Sequence, residues 1–170
     1  MNRQEIYNGL WTLTKEKHNA CIEEAQAVGR EHPTERSVLQ LKAGIYNVAV
    51  AAGLSSGTDK AIELMGNRFR NLIKNFPELS IYYNGLTDEE KGIMEIALCP
   101  EMFMRLNFYG AYVADLGEAE KEGEPEKIFK ARIKKEVLSE ILDMWRNFRT
   151  ENNLFVFAFK DKEVYGERKA

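Results

Sequence analysis

From Ile6 to Phe148 the apolar residues of this 170-residue chain recur at intervals of three and four, and prolines, glycines and hydroxyl residues cut the pattern into helix-sized lengths. A chain patterned this way must bury one stripe of each helix against another, which restricts it to packed-helix architectures. Residues 3 to 30 predict a first helix with Ile6, Leu10, Leu13, Cys21, Ala25 and Val28 on one side and Pro33 marking its end. Thr34 caps a second, whose stripe is Val38, Leu41, Ile45, Val48, Ala49 and Ala52, with Gly53 as its stop. Ser56 or Thr58 caps a third carrying Ile62, Met65, Phe69, Leu72, Ile73 and Phe76, closed by Pro77. These three are expected to be consecutive antiparallel neighbours.

Leu79 to Tyr83 alternates weakly and reads as either a short strand or an irregular turn. Thr87 to Glu90 has the form of a capping box and opens a fourth helix that ends near Cys99. Pro100 is expected to open a fifth, with Phe103, Leu106, Tyr109, Val113 and Leu116 inward, Gly117 closing it and an acidic loop over 118–124. Pro125 begins the longest amphipathic segment, which buries Ile133, Val137, Leu138, Ile141, Leu142, Trp145 and Phe148. Leu154 to Phe159 is apolar on both faces of an extended chain, and Lys160 to Glu163 can turn it back into Val164 and Tyr165. The expected fold is therefore mainly α: one domain over residues 1–170, an irregular bundle of five or six helices with a small C-terminal β-hairpin at about 154–165.

Charged residues make up 30% and hydrophobic ones 44%, proportions of a globular chain and not of a disordered one. A net charge of −3 gives no general affinity for nucleic acid or anionic lipid, so any such binding has to be local. Glu5 interrupts the start where a signal peptide needs an apolar core, and no run approaches the ~20 apolar residues of a bilayer span. Cys21 and Cys99 read as small buried hydrophobes in a reducing compartment, which makes the cytoplasm the expected location.

Catalytic patterns fail on context. Gly53 to Gly57 (GLSSG) matches a serine nucleophile elbow, but helical periodicity precedes it and His18 and His32 lie upstream, where that arrangement needs a downstream histidine. The same glycines are too close together for a phosphate loop, and Lys60 does not directly follow the second. His18, Cys21 and Glu24 drift around the first helix and do not converge as metal ligands. No catalytic residue, cofactor or metal is assigned, and the chain is expected not to be an enzyme, with an unrecognised enzyme kept as the second alternative function.

Val48 to Glu63 (VAVAAGLSSGTDKAIE) carries a small residue at Ala49, a turn glycine at Gly53, an aliphatic at Leu54, a turn serine at Ser55, a cap at Thr58 and a core position at Ile62. In this pattern it resembles the helix-turn-helix unit of bacterial DNA-binding proteins, over about a tenth of the chain. The pattern departs at Asp59, where the family places a buried aliphatic. The resemblance implies a DNA-binding regulator acting through Ser55, Ser56, Thr58 and Lys60, with Arg68, Arg70 and Lys74 on phosphates.

Charge is sharply segregated further on. Between Asp115 and Glu126 six acids face only Lys121, a local net of −5, whereas Lys127 to Lys135 holds five bases and no acid. Lys127, Lys130 and Lys134 share one stripe, collinear with the buried stripe further along the same helix. Either these turns reach past the core towards an acidic partner, or the acidic segment folds back on them; the internal explanation is favoured. With Arg132 and Lys135, and with Phe155, Phe157 and Phe159 of the tail, they form the candidate partner-binding set. The leading expectation is a non-enzymatic binding protein, a small cytosolic partner, inhibitor or adaptor of a larger macromolecule, of the kind a phage or mobile element encodes. Its partner would be a protein or a second copy, with nucleic acid as the alternative and no membrane.

Overall fold

The computed structural model describes residues 1–53 and 58–155, all but its short connections helical. Helix α1 is Arg3–Val28, opened by the side chain of Asn2, which accepts the Glu5 amide at 2.8 Å. It ends at Gly29, whose φ of +66° suits glycine, so α2 (Pro33–Gly53) can begin on Pro33 itself. Helix α3 spans Thr58–Leu72 and tightens into a 3-10 turn at Ile73–Asn75 before α4, Pro77–Asn84. Helix α5 is Asp88–Met104, α6 is Gly110–Glu122 and α7 is Pro125–Glu151. At the start of α5, Thr87 accepts the Glu90 amide and Glu90 returns to the Thr87 amide, the reciprocal cap expected from that spacing.

Helices α1 and α2 pack along each other and α2 also lies on α7, while α3 packs on α5 and α1 instead of forming a third antiparallel neighbour to α2. Helix α5 is the central element. Met94, Ile96, Ala97, Leu98, Cys99, Met102 and Met104 are at most 1% exposed, so its apolar residues are covered on every side. Against it lie Ile6 and Leu10 of α1, Phe69 of α3 and the α7 stripe Val137, Leu138, Ile141, Leu142 and Trp145. The Trp145 indole donates to Thr14 Oγ1 at 2.9 Å and Thr14 donates to the Leu10 carbonyl at 2.7 Å, so both buried side chains of that pair are satisfied. Among the described residues no helix is long and apolar enough to cross a membrane.

Several expectations are corrected. The C-terminal β-hairpin is not seen: no strand occurs among the described residues, and the part of that reading over 156–165 lies outside them. At its start the chain leaves α7 through Asn153 (φ +52°), the buried Leu154 donates its amide to Arg149 at 2.8 Å, and Phe155 has φ +39°. A positive φ is incompatible with a ladder, so Leu154 caps the helix where alternation suggested a strand. Leu79 to Tyr83 is likewise helical; its buried residues Leu79 and Tyr83 are four apart, a helix spacing that alternation also satisfies.

Pro100 does not open a helix but sits inside α5. A mid-helix proline costs about 3 kcal/mol, outweighed here by the complete burial of the residues around it. Gly117 likewise lies within α6, which continues through the supposed acidic loop to Glu122 and stops at Gly123, φ +74°. Between α5 and α6 the segment Arg105–Tyr109 winds as a π turn. Its extra residue per turn rotates the helix after it, so Val113, expected inside, is 38% exposed and Tyr112 and Ala119 turn inward, while Leu116, expected inside, is half-buried.

Candidate interaction surface

Two glutamates of the central helix organise the molecule. Glu95, 6% exposed, receives the Tyr83 hydroxyl at 2.6 Å on Oε2 and the Arg70 guanidinium at 2.9 Å on Oε1, with Arg3 at 3.6 Å. Gly66 of α3 leaves it room, since a Cβ there would sit a tight 3.1 Å from Glu95 Oε1 and 3.3 Å from Arg70 Nη1. Burial, then the bond to Glu95, pushes the Tyr83 phenol up to about 12, so it remains the donor at neutral pH. The second, Glu101, is fully buried and is met by Arg149 at 2.9 Å, Arg105 at 2.9 Å and Arg146 at 3.4 Å. Burial lowers the Arg149 pKa and the carboxylate of Glu101 opposes that shift.

The Glu95 cluster holds α4 by its inward face. Tyr83 bonds Glu95, packs its ring 5.3 Å from that of Phe69 and carries Lys91 over it at 5.5 Å. With Leu79 and Tyr83 committed inward, the outer face of this eight-residue helix shows Ile81, 75% exposed, and Tyr82, 51% exposed. Phe155 is half-buried and meets Tyr82 edge-on, ring centroids 6.4 Å apart. Single exposed apolar residues are ordinary, but here Ile81 and Tyr82 are consecutive on a tethered helix and Phe155 packs against Tyr82. Phe155 belonged to the expected partner-binding set. Phe157 and Phe159 lie outside the described residues, and Ile81 and Tyr82 escaped the sequence reading because they fell in a stretch without a clear period.

The expected lysine surface has a different setting. Lys127, Lys130 and Lys134 of α7 line a groove of about 290 Å³ opposite Asp115, Glu118 and Glu122 of α6. Lys127 lies 3.0 Å from Glu122 and 3.5 Å from Glu124, which together raise its pKa, and Lys130 lies 3.2 Å from Glu126. Arg132 is exposed and Lys135 half-buried, on either side of the buried Ile133.

Of the set implied by the helix-turn-helix resemblance, Ser55 and Ser56 lie outside the described residues and Thr58 begins α3. Lys60 and Lys74 are exposed towards opposite ends of the α3 region, as is Asp59, which avoids burying a carboxylate. Arg70 is tied to Glu95 and Asn67, and Arg68 lies 4.3 Å over the Phe103 ring. His18 is paired with Asn19, its Nδ1 3.2 Å from the amide oxygen, and no three potential metal-ligating His, Cys, Asp or Glu side chains gather among the described residues. Comparison with family models, with curated proteins and with solved structures finds no match to this chain.

Proposed function

We propose that this chain is a non-enzymatic binding protein, a partner, inhibitor or adaptor that meets a larger protein through the outer face of α4. The observation that carries this reading is the exposed pair Ile81 and Tyr82, with Phe155 against Tyr82, on a helix pinned from behind by the Glu95 cluster. An aromatic and aliphatic anchor set on a rigid element loses little freedom on binding, and such anchors dominate protein interfaces. A protein is favoured over nucleic acid because the patch is apolar, while Arg70 and Arg68 nearby are engaged internally. A cytoplasmic setting is part of the proposal and is supported by the two free thiols, Cys21 and Cys99.

The test compares capture from the native cell by the unmodified chain and by an Ile81→Asp, Tyr82→Ala variant, with nuclease added. A protein retained by the first, lost by the second and indifferent to nuclease is the expected result. Retention of the same proteins by both chains, or capture that nuclease abolishes, overturns the proposal. If the captured protein is the chain itself, its mass in solution should fall to that of a monomer in the variant.

A further inference from the structure

Helix α6 is attached to the molecule differently from every core helix. It rests chiefly on α7 and on the π turn at its base, and Ala119 is its one buried residue. Three of its acids, Asp115, Glu118 and Glu122, recur at three-and-four spacing and therefore share a face. That face lies across the groove from Lys134, Lys130 and Lys127, which descend α7 in the opposite order. Beneath the charges the apolar seam is thin: Tyr112 and Leu116 are half-buried, and Ala119 and Ala131 line the groove floor with only methyl groups. Both ends have irregular backbone, the π turn Arg105–Tyr109 below and Gly123 at φ +74° above.

We propose that α6 is an electrostatic latch over the basic face of α7, closed by the Glu122–Lys127 ion pair with Asp115 and Glu118 lining the same groove, and released when those charges are screened. Release uncovers the half-buried Lys134 and frees Lys127 and Lys130, already exposed, from the acids across the groove, while the core stays folded because α5 packs on α1 and α3 and α7 packs on α2. The sensitivity to salt follows from exposure: charges in water are screened over ~10 Å at 0.1 M salt and ~3 Å at 1 M. Release is also visible, since a helix of 13 residues is marginal once it loses its packing partner, and its amides then exchange.

Hydrogen exchange read by mass spectrometry on the full chain tests the latch. Between about 0.05 M and about 1 M sodium chloride, amides of residues 112–122 should exchange faster by roughly fivefold, with those of 94–104 unchanged. The variant Lys127→Glu, Lys130→Glu, Lys134→Glu should exchange fast over 112–122 at low salt and lose the acceleration by salt. Unchanged protection of 112–122 across this range, or protection in the variant equal to that of the parent, overturns the latch. Should the triple variant lose protection over 94–104 as well, the neutral set Lys127→Gln, Lys130→Gln, Lys134→Gln decides by the same two criteria.

Discussion

The Glu101 cluster and the α6–α7 groove use the same chemistry, carboxylates facing cations, in opposite surroundings. Glu101 and Arg149 are both fully buried, whereas Lys127 and Glu122 are each half exposed or more. Inside, both ions have lost their water, and each depends on the other to offset that loss. Outside, water and salt compete with the pair, so it sets orientation more than stability. The inner cluster therefore locks α5 to α7 and the outer groove can open.

The largest effect that could break this comparison is at Glu101. Glu101→Gln leaves three guanidinium groups without their carboxylate and should lower unfolding free energy by about 3–5 kcal/mol, read from denaturant unfolding. A loss as small as that of a surface exchange would mean the buried cluster is not structural. Next is Tyr83→Phe, which removes the hydroxyl bonded to Glu95 and should lower stability by about 2 kcal/mol, with looser protection of α4 amides.

A pH series sharpens the point. Tyr83 and Tyr46 have phenol pKa values raised from 10.0 to about 12, in both cases mainly by burial. Their contribution is complete below about pH 10. Above it the unfolded chain ionises while the folded chain does not, so stability should fall as pH rises towards about 12. In Tyr83→Phe the fall should be shallower, a difference visible in unfolding midpoints measured across that range. The smallest effect is expected at the surface: Lys127→Ala should leave the global melting temperature within measurement scatter at any salt concentration, because Glu122 and Glu124 return to water.

Much of the bundle was legible in the sequence. The inward stripes of α1 and α7, the Thr87 capping box and the burial of Cys99 follow from local spacing, because one helical face and one cap are decided within a few residues. The failures cluster where distant residues decide. Pro100 reads locally as a helix start and is carried through α5 by burial on all sides, and one π turn moves Val113 outward. The candidate site was half legible: Phe155 was marked by its apolar run, while Ile81 and Tyr82 depend on how α4 is anchored. A signal for the anchors was present, since Glu95 and Glu101 interrupt the otherwise apolar stretch Ile93–Met104, and a carboxylate within such a run calls for buried cations.

By itself, then, the sequence determined that the chain is helical, where most helices begin, and that the acidic and basic segments flanking Pro125 answer one another. Only the tertiary structure decided that Arg70 and Arg3 meet Glu95, that Arg105, Arg146 and Arg149 meet Glu101, and that α4 turns Ile81 and Tyr82 outward. The physical reason is range. Periodicity and capping act over three or four residues, whereas a buried charge is satisfied by whatever packing brings to it, 25 residues away for Arg70 and 48 for Arg149.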